Sequence, residues 1–170
     1  CGDGKNIETI LLTTEKVTGV DNDPVAINDA KNKLQNHVSS IDLVCCDALQ
    51  LPFESETFDV ITCLELIGNL GDNKISALKE NYRVLKQNGY LILSTYSEDA
   101  FDARMKIYEQ IKIPIEKIEG TKVYFDKSVG AYESEQFSLN DLEMLGIQAG
   151  FKMVDHIKIG IFYICKFIKD

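Results

Sequence analysis

The amino-acid sequence predicts an α/β protein with a doubly wound, mostly parallel sheet that closes with a C-terminal antiparallel hairpin. Short apolar runs alternate with helical patterns over roughly the first hundred residues. Parallel strands need a long crossover, usually a helix, so this alternation favours a parallel sheet. Two strand-like runs, FKMVDHIKI and GIFYICKFI, meet at Gly160 and close the chain, which favours an antiparallel pair.

The first half carries clear helix boundaries. Asp23 and Pro24 predict a helix start, because aspartate caps the free N–H groups and proline fits the first helical position. Gly89 is the expected C-cap of a later helix. The predicted order is the helix NIETILLTT, the strand KVTGVD, the helix DPVAINDAKNKLQNHV, the strand IDLVCCD, the strand FDVITCLELI, the helix NKISALKENYRVLKQNG and the strand YLILSTY.

Residues 111–137 depart from this alternation. A helix over EDAFDARMKIYEQI precedes them, and the segment itself mixes a proline, glycines and alternating aromatic residues. We expect an insertion or lid on the substrate side, with KVYFD and YESEQF as its strands. Its aromatic and acidic residues would either roof a substrate or simply pack the hairpin; they are Tyr124, Phe125, Tyr132, Glu133 and Phe137.

A last helix is predicted over SLNDLEMLGIQAG. Ser138 and Asp141 have the spacing of a capping arrangement, and Gly150 is placed to end the helix. No repeat, low-complexity stretch or linker interrupts the chain, so residues 1–170 are expected to form a single domain.

Composition and charge narrow the function. The chain of 170 residues has 18 basic and 27 acidic side chains, a net charge of −9, which argues against nucleic acid as a substrate. Five cysteines form no C-x-x-C pair and only two histidines exist, so we expect no metal site. No apolar run reaches the roughly 18 residues of a membrane span. We expect a cytoplasmic monomer or homodimer that acts on a small molecule.

Glycine and acidic residues fall at successive strand ends. Gly2 and Gly4 form a turn before a helix, where backbone without side chains can approach a ligand closely. Asp21 ends the next strand, at a spacing typical of an acid that holds ribose hydroxyls. Asp47 ends the following strand, and Ala48 after it is placed to meet a base edge. A lone glycine pair or aspartate is more often a turn or a cap, but the ordered series favours a nucleoside ligand.

In these residues the sequence resembles the class I S-adenosylmethionine-dependent methyltransferases. The resemblance rests on CGDG, VTGVDNDPVAI, LVCCDALQLPFESETFDVITCLELIGNL and RVLKQNGYLILST, over about residues 1–97, and FSLNDLEMLGIQAGF is similar to a later segment of the family. The motif style looks most like the quinone-biosynthesis type, specifically its O-methyltransferases. The resemblance implies a Rossmann-like fold, S-adenosylmethionine as cofactor and S-adenosylhomocysteine as product. It also implies methyl transfer by in-line displacement to a small molecule.

The resemblance also implies roles for individual residues. Gly2 and Gly4, with Cys1 in the same turn, would line the methionine moiety and ribose. Asp21 would pair with both ribose hydroxyls. The remaining implied cofactor contacts are Asn22 beside the adenine, Asp47 and the Ala48 N–H at the adenine edge, and the backbone around Leu64 at the methionine ammonium.

The acceptor side is less typical of the family. Where the similar stretch of the quinone-biosynthesis type has a Glu-His pair, this sequence has Gly68 and Asn69. Glu65 and Asn69 remain as candidate catalytic residues, and Glu65 is equally compatible with a solvated or cofactor-facing role. Two alternatives therefore stay open: a cofactor-binding module without catalysis, and a protein or RNA methyltransferase that works with a partner subunit.

The opening turn raises one more expectation. In the family, a buried strand and another glycine precede the turn that CGDG resembles, and that strand lies beside the one built from FDVITCLEL. The first strand is therefore apparently missing before Cys1, and we expect an apolar strand and a further glycine upstream, since unpaired central strand edges favour aggregation.

Overall fold

The computed structural model describes residues 1–129 and 132–170, which fall into two compact units, Cys1–Pro52 and Phe53–Asp170. The helices are α1 (Lys5–Ile10), α2 (Pro24–Lys33), α3 (Lys74–Val84), α4 (Phe101–Gln110) and α5 (Leu139–Ala149). The strands are β1 (Val17–Asp21), β2 (Ile41–Cys45), β3 (Phe58–Leu64), β4 (Leu85–Tyr96), β5 (Ile115–Glu119), β6 (Lys122–Phe125), β7 (Glu133–Ser134), β8 (Lys152–Ile159) and β9 (Phe162–Ile168).

The first unit is a two-stranded parallel sheet with its helices. β1 and β2 pair in register from Val17 beside Ile41 to Asp21 beside Cys45. The side chain of Asp23 accepts a hydrogen bond from the N–H of Val25, so the predicted cap of α2 forms. A small core built on Ile7, Ala30 and Leu34 holds the helices against the strands. Both strands therefore end at one edge, where Asp21 lies.

The second unit is built on a mixed four-stranded sheet of order β3-β4-β9-β8. β3 and β4 are parallel, whereas β9 is antiparallel to both β4 and β8. The predicted α/β class with a C-terminal antiparallel hairpin is therefore confirmed. Leu78 from α3, Leu142 from α5 and Phe167 from β9 pack in the core of this unit, each at most 1% exposed. Within the two described ranges, no helix has the length and apolar character that crossing a bilayer requires.

Helix α3 ends earlier than the sequence predicts. Gly89 is not its C-cap, because the chain is already extended at Leu85 and enters β4 there. Leu85 is fully buried in the core and pairs with Phe58 of β3. Burial of this leucine and strand pairing together outweigh the helical propensity of the residues that follow it.

The predicted insertion, residues 111–137, contains a three-stranded antiparallel sheet of order β5-β6-β7. The expected strands around β6 and β7 form, and β5 is a third strand that the sequence did not predict. Val123 and Phe125 of β6 pack with Tyr108 of α4, which gives the sheet a small core of its own. Because its strands are short, this small sheet would be only marginally stable by itself, and packing against α4 stabilises it.

Helix α5 follows its sequence signals. Ser138 and Asp141 form a reciprocal capping box, and Gly150 ends the helix in the left-handed conformation with φ of 99°. Gly146 faces Phe167, and an added Cβ there would lie 2.3 Å from the phenylalanine ring. The helix thus lies close against the sheet that carries the candidate acceptor site.

Candidate cofactor and acceptor sites

The carboxylate of Asp21 connects the opening turn to the end of β1 through hydrogen bonds. Its Oδ2 accepts hydrogen bonds from the N–H of Gly2 at 2.8 Å and the amino group of Cys1 at 2.9 Å, and its Oδ1 accepts from the N–H of Asp23 at 3.0 Å. Partial burial opposes ionisation, but the hydrogen bonds from the backbone N–H groups of Asp23 and Gly2 favour the carboxylate and keep the pKa of Asp21 below its ordinary value. The side chain stays 23% exposed. Asp21 is therefore an ionised acceptor within reach of a ligand.

The two glycines of the opening turn have different roles. Gly2 has φ of 56°, and a Cβ added to it would meet no atom within 4 Å. Gly4 has φ of 80°, but its added Cβ would lie 2.6 Å from Cδ1 of Leu34 and 3.3 Å from Cβ of Ala30. The sequence led us to expect that both glycines are there for ligand approach. For Gly4 the reason is close packing on α2, and only Gly2 faces open space.

The other predicted cofactor residues of the first unit lie at the same edge of its sheet. The N–H of Cys46 donates to the carbonyl of Asp21 at 2.9 Å, which carries the strand pairing one residue beyond β2. Asp47 follows at once; it is exposed, and its Oδ1 accepts from the N–H of Leu49 at 2.9 Å. Asn22 is exposed and Ala48 is half-buried. The first unit thus presents Asp21 and Asp47 together.

The predicted residues of the second unit follow β3. Leu64 is the last residue of that strand and is 37% exposed. Glu65 has φ of 54°, unusual for a residue with a side chain, while its N–H donates to the carbonyl of Ser94 at 2.9 Å. The side-chain amide of Asn69 donates to the carbonyl of Glu65 at 3.2 Å. Asn69 therefore helps to hold the backbone of Glu65 in this strained conformation.

Glu65 and Asn69 line a cavity of about 180 Å³ at the carboxyl ends of β3 and β4, here called the strand-end cavity. Such strand ends are where α/β sheets bind ligands. Its lining is Glu65, Gly68, Asn69, Thr95, Tyr96, Arg104, Ser134 and Glu135. None of these eight residues is a histidine or a cysteine.

Five of the eight lining residues were missed from the sequence, and one of them is Thr95 near the end of β4. Arg104 comes from α4, Tyr96 from the end of β4, and Ser134 and Glu135 from the insertion and its end. The expected aromatic roof does not line the cavity: Phe125 and Phe137 are core residues, 7% and 2% exposed. The sequence signal that could have indicated Arg104 is an arginine on a helix directly after a strand. Hydrophobic periodicity alone does not mark such a residue as functional.

The insertion is held to the rest of the second unit by polar contacts. The N–H of Glu135 donates to the carbonyl of Gly68 at 2.9 Å, and Lys74 Nζ lies 2.6 Å from Glu135 Oε2. A Cβ on Gly68 would lie 2.8 Å from the carbonyl oxygen of Glu135. This close backbone approach explains why glycine stands where the similar family stretch carries glutamate.

A larger groove of about 620 Å³ lies between α4 and β5. Its lining includes Met105, Tyr108 and Ile115 but no residue from the ends of β3 or β4. We therefore place the candidate acceptor site in the strand-end cavity, where polar groups converge.

The first unit has a parallel strand pair and a glycine turn hydrogen-bonded to the acid at the end of the next strand, and the second has a mixed sheet that ends in an antiparallel hairpin. Both features belong to the fold of the class I S-adenosylmethionine-dependent methyltransferases. The chain matches the family described as "Methyltransferase domain" over residues 1–93. It belongs to this methyltransferase domain family.

Two curated relatives carry names from quinone biosynthesis. Demethylmenaquinone methyltransferase of Staphylococcus haemolyticus is 33% identical over 82% of this chain and 59% of its own length. The ubiquinone/menaquinone biosynthesis C-methyltransferase of Escherichia coli is 28% identical over 86% of this chain and 60% of its own length. The chain thus spans about 60% of the length of these relatives. The second name specifies a C-methyltransferase, where the sequence pointed to the O-methyltransferase type.

A solved structure supports the fold. The 1,6-didemethyltoxoflavin-N1-methyltransferase of Burkholderia thailandensis, with bound 1,6-didemethyltoxoflavin and S-adenosylhomocysteine, superposes with a TM-score of 0.76. It is 16% identical, and the match covers 99% of this chain and 67% of that chain. At this identity the likeness establishes the fold alone.

Proposed function

We propose that this protein transfers the methyl group of S-adenosylmethionine to a small-molecule acceptor by in-line displacement. The observation that carries the proposal is the Asp21 carboxylate, hydrogen-bonded to the Gly2 N–H at 2.8 Å, in a chain of the methyltransferase domain family. The names of the curated relatives make a quinol the first acceptor to test. Residues 111–137 would contribute to the acceptor side through Ser134 and Glu135.

The residues of the first unit fit the cofactor. Asp21 is ionised and exposed enough to accept hydrogen bonds from two ribose hydroxyls. Asp47 and the backbone of Ala48 would contact the adenine, with Asn22 beside it. Gly2 offers backbone with open space next to it. When bound there, the cofactor would supply an activated methyl group on its sulfonium sulfur.

The second unit would orient the acceptor. Glu65 is exposed, lines the strand-end cavity, and can accept a hydrogen bond from an O–H or N–H of the acceptor. Asn69 cannot take up a proton, and its hydrogen bond to the Glu65 carbonyl makes it a positioning residue. Orientation in a small cavity is the main contribution that a displacement of this kind needs from the protein.

The test is cofactor binding and methyl transfer with matched carboxylate variants of the full-length protein. Asp21→Asn should weaken S-adenosylmethionine affinity by about 10- to 100-fold in calorimetry, because hydrogen bonds to a charged acceptor contribute about 1.5–3 kcal/mol. Asp42→Asn removes an exposed carboxylate from the middle of β2 and should leave affinity unchanged. Equal affinity of the wild type and Asp21→Asn would refute the assignment of Asp21.

One observation favours a second candidate, a cofactor-binding module without catalysis. The strand-end cavity has no histidine among its lining residues, so no imidazole is available there as a base. This candidate predicts cofactor binding but no radiolabel transfer from methyl-labelled S-adenosylmethionine to quinols or to a metabolite extract. Labelled product would exclude it.

A further inference from the structure

Arg104 is the charged group in the strand-end cavity that the methyl-transfer proposal leaves without a role. Its guanidinium stacks on the ring of Tyr96, 3.8 Å from the ring centroid. Such stacking fixes the plane of the guanidinium and leaves its edge to donate hydrogen bonds. An arginine is thus held in one orientation at the carboxyl end of β4.

The hydrogen-bond partners of this guanidinium are neutral. Nε donates to the hydroxyl of Tyr108 at 2.9 Å, and Nη2 donates to the same hydroxyl and to Ser134 Oγ at 2.9 Å. Tyr108 and Ser134 are 7% and 3% exposed, so they form a buried support. Among residues 1–129 and 132–170, no carboxylate pairs with Arg104 and Nη1 donates no hydrogen bond. A half-buried cation is normally paired with an anion, so this donor set is incomplete.

The other charges of the lining do not supply that anion. Glu135 lies 2.6 Å from Lys74 and is neutralised by it. Glu65 is exposed and forms no ion pair within the described part of the second unit. The lining therefore presents one unneutralised cation, Arg104, and one unneutralised anion, Glu65. The cavity volume of about 180 Å³ corresponds to about six water molecules, which is enough space for a small acceptor.

We infer that Arg104 binds a carboxylate group of the acceptor, with an N–H or O–H of the same molecule facing Glu65, so that this cavity favours an acidic phenol or amine over an uncharged quinol. Only the identification of this ligand as the methyl acceptor rests on the proposed function. Binding of a small carboxylate in the cavity can be measured without turnover. The guanidinium edge matches a planar carboxylate in shape and charge, and the Tyr96 stack and the Tyr108–Ser134 support hold it ready.

The experiment uses saturation-transfer NMR on the full-length protein with matched probes. These are 3-hydroxybenzoate and 4-hydroxybenzoate, each with its uncharged primary amide. The wild type should bind the carboxylates at least about tenfold more tightly than the amides, since a charge-assisted pair contributes that much or more. In Arg104→Gln the preference should fall to about onefold. Lys106→Gln removes one positive charge from an exposed position of the same helix and should keep the wild-type preference.

Arg104→Lys covers the case in which Arg104→Gln does not fold, which a melting curve reveals. Lysine keeps the charge without the planar edge, so its preference should lie between those of the wild type and the glutamine variant. An unchanged preference in a folded Arg104 variant, or no preference in the wild type, would overturn the inference. Carboxylate preference without any methyl transfer would instead uphold Arg104 and count against the proposed function, so the two failures are distinct.

Discussion

The backbone N–H of Gly2 lies 2.8 Å from Oδ2 of Asp21, 19 residues further along the chain. This hydrogen bond joins the opening turn to the end of β1 and fixes the carboxylate from one side, while the N–H of Asp23 fixes it from the other at 3.0 Å. The pair therefore determines both the position and the ionisation of the residue that we assign to the ribose.

The Asp21 carboxylate should make stability depend on acid pH. Hydrogen bonds from the N–H groups of Asp23 and Gly2 keep its folded-state pKa below the ordinary value of 3.8, so its contribution is fully present above about pH 4 and is lost as the pH falls through the lowered pKa. Urea unfolding of the wild type and Asp21→Asn between pH 6 and pH 2 should show a difference that shrinks as the pH falls, by about 1.5–3 kcal/mol, the usual contribution of hydrogen bonds to a charged group. A difference independent of pH would contradict the assignment.

Gly4 should tolerate alanine worse than Gly2. Both have positive φ, which costs a residue with a Cβ about 1–2 kcal/mol. At Gly4 the new methyl group would also press on Leu34 and Ala30, which adds about 1–3 kcal/mol, whereas at Gly2 it meets open space. Thermal or urea unfolding of Gly4→Ala and Gly2→Ala measures the gap directly. Equal losses for both variants would show that the packing against α2 does not matter.

Much of the fold could be predicted because local and long-range signals agree. Asp23 with Pro24, and Ser138 with Asp141, mark helix starts that form as predicted. The prediction failed at Gly89, where a cap-like glycine follows Leu85. The signal that decides there is the complete burial of Leu85 between β3 and the core, which is a tertiary property and is not visible in the local pattern.

The candidate site was predictable where backbone spacing sets it. Asp21 ends β1 and Asp47 comes two residues after the adjacent parallel strand β2, so the sequence alone puts them at one sheet edge. Arg104 was missed because its role depends on the ring of Tyr96 and on Ser134, 30 residues away, and no periodicity encodes such a meeting. The aromatic residues of the insertion were ambiguous for the same reason, and Phe125 proved to be core.

The five cysteines should differ sharply in reactivity. Burial raises the pKa of Cys63 to about 12 and that of Cys165 to about 11, whereas Cys45 is exposed. At pH 8 a thiol with a pKa of 12 has roughly a thousandfold less thiolate than one at the ordinary value of 9. Iodoacetamide labelling followed by peptide mass spectrometry should therefore modify Cys45 in the native protein, and Cys63 and Cys165 only after unfolding. Rapid native labelling of Cys63 would contradict this burial.

The ion pair between Lys74 and Glu135 should control local opening of the insertion. Its side chains are 13% and 26% exposed, so losing it should cost about 1–2 kcal/mol, between the values for surface and buried pairs. Lys74→Met keeps the apolar stem but frees Glu135, whose N–H donates to the Gly68 carbonyl. Hydrogen exchange of the Glu135 amide should then accelerate about tenfold.

Two comparisons make that experiment specific to the ion pair. Lys79→Met removes an exposed lysine from the same helix α3 and should leave the exchange of the Glu135 amide unchanged. Leu142 lies in α5, and its side chain is in the main core. Exchange of the Leu142 amide should therefore be unchanged in both variants. If Lys74→Met accelerates both amides equally, the lysine stabilises the whole unit rather than the insertion. If it accelerates neither, the backbone hydrogen bond to Gly68 holds the insertion without help from the ion pair.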